Sequence, residues 1–289
     1  LRLMGAQIET EGGVLSCRCP DGLRGEKITL SFPSVGATEN ILIAAASADG
    51  ETVILNAARE PEIADLADFL CSCGAHISGA GSGEITVCGM KKLHSAEHTV
   101  IPDRIIASTY MAAAAVTGGD VRILDTRAEH ITPVIPVFEQ AGCKVDCGEN
   151  SVHISAPVRL RSVQTVRTMP YPGFPTDSQA AVMAMLSVAH GTSVMIENIF
   201  ENRYRHVREL CRLGADIMTE GKVAVIKGVE TLTGACVCAA DLRAGTALAV
   251  AGLAAQGSTT IENVCLIDRG WQDMEEKLRS LGADIRRES

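Results

Sequence analysis

One short phrase recurs five times along the 289 residues. A helix-like run ends in a small-residue step and leads straight into a strand-like run. The copies are Met4-Gly5-Ala6-Gln7-Ile8, Cys73-Gly74-Ala75-His76-Ile77, Ala141-Gly142-Cys143-Lys144-Val145, Leu213-Gly214-Ala215-Asp216-Ile217 and Leu281-Gly282-Ala283-Asp284-Ile285. Their glycines stand 69, 68, 72 and 68 positions apart. A fixed period of this length limits the fold to an array of one repeated unit. The first copy has no helix before it, so the chain is expected to start inside a unit, with four full units and the tail of a fifth.

Each unit of roughly 70 residues carries two kinds of helix. One is amphipathic, with Glu275, Glu276, Lys277 and Arg279 marking the polar side of the last copy, and belongs at a surface. The other is apolar almost all round, at 41–46, 111–116, 180–189 and 247–255, and has to be covered on every side. Gly50, Gly118-Gly119, Gly191 and Gly257 follow these runs and suit helix C-terminal turns. β-Branched strands come next, at 52–55, 121–124, 193–196 and 259–261. The predicted unit is therefore β-α-β-α-β-β, and stacking it about an axis puts apolar helices inside and sheets outside. The expected fold is an inside-out α/β barrel in two domains, residues 1–98 and 99–289, with the first incomplete. The polar stretch 91–100 before Pro102 marks the boundary. Gly79-Ala80-Gly81-Ser82-Gly83 lies between two strands and reads as a hairpin turn.

Composition narrows the partners. Hydrophobic residues make up 46% of the chain but aromatics only 3%, so the core is one of Ala, Val, Ile and Leu. A formal charge of −9 argues against non-specific nucleic-acid or anionic-membrane binding, while leaving anionic small molecules open to a local group of arginines. No run approaches the roughly 20 apolar residues of a membrane-spanning helix. The eleven cysteines form no CxxC pair, although Cys17/Cys19 and Cys236/Cys238 are spaced to share a strand face. They are expected to be reduced and mostly buried, in a cytoplasmic protein.

Chemistry is expected where the buried helices begin. Ser34, Asp103, Asp177 and Asp241 stand at or near those starts, where Ser, Thr and Asp serve first of all as caps. The free N–H groups and positive dipole end there also suit anions. Arg104 and Arg243 lie beside two of the starts. Arg269 follows the strand of the last unit, Arg203 holds the matching place one unit earlier and Arg59 earlier still, and a guanidinium matches phosphate and carboxylate in a fork. Asp177 ends a stiff loop with three prolines, Pro170 to Pro175, and a carboxylate held so firmly could act as a general base. The seven histidines form no metal-binding pattern such as HExxH, and neither a P-loop nor a GxGxxG turn occurs.

With these segments in view, the chain resembles the UDP-N-acetylglucosamine 1-carboxyvinyltransferases. The resemblance rests on SVGAT (34–38), NAAREPEI (56–63), PDRI (102–105), FPTD (174–177), FENR (200–203), DLRA (241–244) and IDRG (267–270), which span the chain in order. It implies an inside-out α/β barrel pair of six units and transfer of the enolpyruvyl group of phosphoenolpyruvate to the 3-hydroxyl of UDP-N-acetylglucosamine, releasing phosphate. It implies small-molecule substrates and no cofactor, nucleic acid or membrane insertion. By motif, Asp177 resembles the base, Arg243 and Arg269 the grip on phosphoenolpyruvate, and Asp241 an acid beside the reacting carbon. Ser34, Val35, Gly36 and Ile199 resemble nucleotide-sugar contacts. Glu60, Glu62, Asp103 and Arg203 resemble the supporting network. Phe32 stands where many relatives carry Lys. The family's first two units, with their reactive-cysteine loop, have no counterpart here, so the 289 residues alone are expected to be inactive. A shikimate-directed sister enzyme and a non-catalytic binding remnant are the alternative readings.

Overall fold

The computed structural model describes residues 1–90 and 92–288; Lys91, at the head of the polar boundary stretch, lies outside the described residues. The chain divides into two compact units, one of Leu1–Ile101 with Pro170–Pro172, the other of Pro102–Met169 with Gly173–Ser289. Residues 92–100 have no regular structure yet are held down within the first unit. His98 Nε2 lies 2.9 Å from Asp65 Oδ1, and the His98 ring packs 5.7 Å from that of Phe69, both on the helix Pro61–Ser72.

The recurrent phrase has one stereochemical meaning. Gly5, Gly74, Gly142, Gly214 and Gly282 all take a left-handed backbone, with φ of 101°, 102°, 100°, 93° and 101°. The residue after each glycine donates its N–H back across the turn: Ala6 to Leu1, Ala75 to Leu70, Cys143 to Phe138, Ala215 to Leu210 and Ala283 to Leu278. This six-to-one bond satisfies a carbonyl that the helix end would otherwise orphan, and glycine supplies the positive φ without a Cβ penalty. The chain leaves each turn as an extended segment.

Two sheets share one design. Lys27–Thr29, Glu51–Leu55, Glu84–Cys88 and His76–Ser78 lie side by side in that order in the first unit. Thr165–Arg167, Thr192–Ile196, Val223–Lys227 and Asp216–Glu220 repeat the order in the second. In both, the first pairing is parallel and the others antiparallel. Residues 79–83 form the expected hairpin turn. The repeat is less regular elsewhere, which corrects the count of four full units. Asp120–Leu124, Ser151–Ser155 and Lys144–Cys147 make a sheet without the leading parallel strand. Cys236–Cys238 pairs with Thr260–Glu262 alone, and Ala283–Glu288 form no strand although they follow Gly282. An extended segment needs a neighbour for its ladder bonds, and no following strand offers one there among the described residues.

The apolar helices are Val35–Ala45, Arg104–Thr117, Thr176–Leu186 and Leu242–Ala254. The last three pack against one another at the centre of the second unit. Every residue from Ser178 to Leu186 is buried, as is every residue from Ala244 to Ala251. The alanines at 112–115, 180, 181, 184, 247, 249 and 251 let these axes approach closely. A buried 2.7 Å hydrogen bond between the Ser108 and Ser178 hydroxyls joins two of them. The sheets lie outside, which gives the second unit the inside-out α/β arrangement. Val35–Ala45 is covered on one side only; Ile43 is 55% exposed, since the described residues place no second apolar helix beside it.

Two expectations need correction. Of the five glycines assigned to the ends of the four apolar helices, only Gly118 caps one. Gly50, Gly191 and Gly257 have positive φ but lie beyond caps at Ala46, Ser187 and Ala255, in the turn that enters the next strand. The eleven cysteines are free thiols, but only Cys73 and Cys143 are buried. Most of the others stand at strand ends or on outward positions, where the side-chain alternation of an outer sheet turns them to solvent. No helix among the described residues is long and apolar enough to cross a membrane.

Candidate active site

Three of the four helix starts are ordinary caps. Ser34 Oγ accepts from Ala37 N at 3.3 Å, Asp103 Oδ1 from Ile105 N and Ile106 N at 2.7 and 3.0 Å, and Asp241 Oδ1 from Ala244 N at 2.8 Å. Asp177 differs. The N-cap of its helix is Pro175, which has no side-chain acceptor, and the Asp177 carboxylate meets two arginines instead. Arg203 Nη2 donates to its Oδ1, and Arg243 Nη2 donates to its Oδ2 at 2.8 Å. The two arginines are largely covered, at 18% and 20% exposure, while the carboxylate side chain keeps 38%. An acid reachable from solution is thus held from both sides by groups fixed in the protein.

The arrangement comes from three elements of the second unit. Asp177 rides on the first turn of Thr176–Leu186, and Arg243 on the first turn of Leu242–Ala254. Arg203 comes from the loop that follows the strand Thr192–Ile196, with its guanidinium carbon 5.1 Å from the centre of the Phe200 ring. Arg269 caps the short helix Cys265–Asp268. That helix is packed closely on Leu242–Ala254: a Cβ on Gly245 would meet Ile267 at 2.5 Å, and one on Gly270 would meet Leu242 at 2.8 Å. The two missing side chains let the neighbours of Arg243 and Arg269 touch. Arg287 clamps Asp268 with bonds of 2.7 and 2.9 Å and also reaches Glu275 at 2.8 Å. Arg269 is exposed and has no ion pair among the described residues.

In the first unit, Val35 and Gly36 form the first turn of the Ser34-capped helix. Thr38 ties two motifs together, donating to Ser34 O at 2.8 Å and accepting from Ala58 N at 3.0 Å. Glu60 is 8% exposed, and its Oε1 accepts from Tyr171 N at 3.3 Å. Burial, with Glu62 and then Glu60 adding like charge, raises the pKa of Glu39 above the usual carboxylate range. Glu62, half-buried, and Glu60 belong to the helix start at Pro61. Phe32 is 43% exposed.

Two buried groups near Asp177 and its arginines were missed by the reading of the sequence. Glu197, 1% exposed, closes the strand that precedes Arg203, and its only signal was an Ile-Glu-Asn phrase repeated at 261–263. His206, also 1% exposed, follows Arg203 in the turn Tyr204–His206 and lies 3.3 Å from Met183 Sδ. Burial pushes its pKa down to about 4, against an opposing pull from Asp241. The folded ring is therefore neutral at pH 7, whereas the unfolded one gains its proton near 6.5. Stability is full above pH 6.5 and falls as pH drops towards about 4, by at most roughly 3 kcal/mol from this one group. Denaturant unfolding at pH 7 and pH 4.5 checks this: His206→Phe should show a shallower loss than the native chain, and equal losses would refute it.

Comparisons with known proteins bear on this site. The family model of EPSP synthase (3-phosphoshikimate 1-carboxyvinyltransferase) matches residues 1–278. Two proteins of Caldanaerobacter subterraneus subsp. tengcongensis, both named UDP-N-acetylglucosamine 1-carboxyvinyltransferase, are 50% and 53% identical over 99% and 98% of the chain. One of the same name from Finegoldia magna is 49% identical over 99%. The chain spans 68% of the length of each of these three. Among solved structures, the enolpyruvyl transferase NikO from Streptomyces tendae matches 99% of the chain and 70% of its own, with a TM-score of 0.89 and 27% identity. An EPSP synthase from Acinetobacter baumannii shares the fold, with a TM-score of 0.73 and 24% identity.

Proposed function

The chain belongs to the EPSP synthase family of carboxyvinyltransferases, and we propose that it transfers the enolpyruvyl group of phosphoenolpyruvate to the 3-hydroxyl of UDP-N-acetylglucosamine, in peptidoglycan synthesis. One observation carries the choice of acceptor: about half of the residues are identical, over nearly the whole chain, to proteins named for that sugar nucleotide. Cytoplasmic location fits the eleven free thiols, the ordinary state in a reducing compartment.

The residues divide the work as follows. Asp177 takes the proton of the sugar hydroxyl as its oxygen bonds to C2 of phosphoenolpyruvate, while C3 gains a proton from the general acid that the resemblance assigns to the cysteine loop of the family's N-terminal region. Loss of phosphate from C2 and of a proton from C3 then restores the double bond in the product. Arg243 and Arg269 hold the phosphate and carboxylate of phosphoenolpyruvate, and Asp241 lies near the reacting carbon. Ser34, Val35, Gly36 and Ile199 contact the nucleotide sugar. Glu60, Glu62, Asp103 and Arg203 support them. Arg243 cannot grip a ligand fully while it serves Asp177. Phosphoenolpyruvate, by drawing Arg243 to itself, would free the Asp177 Oδ2 to face the hydroxyl.

The test joins residues 1–289 behind the N-terminal third of a full-length relative and measures phosphate release from phosphoenolpyruvate. Release with UDP-N-acetylglucosamine and not with shikimate 3-phosphate is expected. The opposite preference would move the chain to the sister activity. Binding of both substrates without release would favour a non-catalytic role.

A further inference from the structure

We infer that Glu197 is a positioning residue for this site: its buried carboxylate locks the helix start that carries Asp177 to the loop that carries Arg203. The inference rests on Asp177 being the base. Glu197 Oε1 accepts from Thr168 Oγ1 at 2.9 Å, Ile199 N at 2.9 Å and Phe200 N at 3.1 Å, and Oε2 accepts from Thr176 Oγ1 at 3.0 Å. These donors come from three separate segments: the end of the strand Thr165–Arg167, the first residue of Thr176–Leu186, and the loop after Ile196.

The position of each donor gives the carboxylate its reach. Thr176 is the residue before Asp177. Phe200 carries the ring that lies against the Arg203 guanidinium. Thr168 accepts in turn from Asn198 N at 2.8 Å, and its carbonyl accepts from Asn198 Nδ2 at 3.2 Å. The far side of the loop is pinned independently, by Tyr204 Oη donating to Met195 O and Lys222 O at 3.1 and 2.9 Å. Arg203 is thus suspended between two anchors, and only the Glu197 anchor also holds Asp177.

A neutral apolar side chain would be the cheaper occupant of a fully buried site, because a carboxylate there needs hydrogen bonds to offset its lost hydration. Four donors supply them, and bonds to a charged acceptor are about twice as strong as neutral ones. Such a group resists small displacements of the segments it joins. Misplacing a reacting group by about 1 Å can cost roughly 10²-fold in rate.

Two variants test the inference. Glu197→Gln keeps one acceptor oxygen for three donors and can give its amide hydrogen to the Thr176 hydroxyl. Glu197→Ala keeps none of these bonds. In the extended enzyme described above, Glu197→Ala should lower kcat about 10²-fold while KM for UDP-N-acetylglucosamine changes little, and Glu197→Gln should recover most of the loss. A kcat at the native level in Glu197→Ala would overturn the inference. So would a parallel fall in kcat and in the number of titratable nucleotide-sugar sites, the mark of mere unfolding. A native enzyme that releases no phosphate at all would instead defeat the functional reading. In that event the side-chain NMR signals of Arg203 in the 289-residue chain decide. Loss of its protected guanidinium signals in Glu197→Ala, with retention in Glu197→Gln, sustains the positioning role; retention in both overturns it.

Discussion

Asp177→Asn, in the extended enzyme, is expected to lower kcat by roughly 10²–10⁴-fold, the usual worth of a general base, and to tighten rather than weaken the hold on phosphoenolpyruvate. The first effect follows from the proton: an amide of the same shape cannot take it from the sugar hydroxyl. The second follows from the ion pairs. The carboxylate occupies both Arg203 and Arg243, so it competes with an anionic substrate for Arg243 and repels it as a like charge. The amide removes that charge and turns a donor towards one of the two guanidinium groups, which releases it. Affinity for UDP-N-acetylglucosamine should hardly change. Steady-state phosphate release and a direct titration with phosphoenolpyruvate read the two effects separately. Near-native turnover would rule out Asp177 as the base. Lower turnover together with weaker phosphoenolpyruvate binding would make it a mere organiser of the arginines.

The second large effect concerns the arginines. Arg243→Lys and Arg269→Lys should each weaken phosphoenolpyruvate binding by roughly 10–100-fold, although the positive charge is kept. Lysine is a point charge, and it loses the planar fork that meets two oxygens of a phosphate or carboxylate at once. The double variant should fall by about 10³-fold. Strict additivity is not expected, because Leu242 beside Arg243 packs on Gly270 beside Arg269. Titration of phosphoenolpyruvate against each variant gives the answer, and unaltered affinity in both single variants would leave these residues a structural role only.

What the sequence made legible is what local physics encodes. The five-fold phrase, the apolar helices and the caps at Ser34, Asp103 and Asp241 all act within a few residues, and the structure has these turns, helices and caps where the sequence pattern put them. The glycines assigned to helix ends were misread at 50, 191 and 257 because a positive φ serves a turn into a strand as well as a cap. The cysteines were misread because composition names a thiol and only sheet register decides which way it points. The site lay partly out of reach for a different reason. Asp177 and Arg243 are 66 positions apart, and residues 168, 176 and 197 meet only when three elements have docked. Ile-Glu-Asn occurs at 196–198 and again at 261–263. The first Glu is buried with four donors, while the second is exposed, and among the described residues its carboxylate accepts from a thiol, Cys236 Sγ at 3.5 Å. Nothing within either phrase distinguishes them.

The left-handed glycines bear on how the site is put together. A residue with a side chain is disfavoured in that conformation by about 1–2 kcal/mol, so each position accepts little besides glycine. Here φ stays between 93° and 102° in all of them, although sheet content around them varies. One backbone conformation thus closes all five turns, at intervals of about 70 residues. The chemistry is not repeated with the turns: Asp177 and Glu197 lie before Gly214, Arg243 and Arg269 after it, so the site draws on two neighbouring modules joined by one such turn.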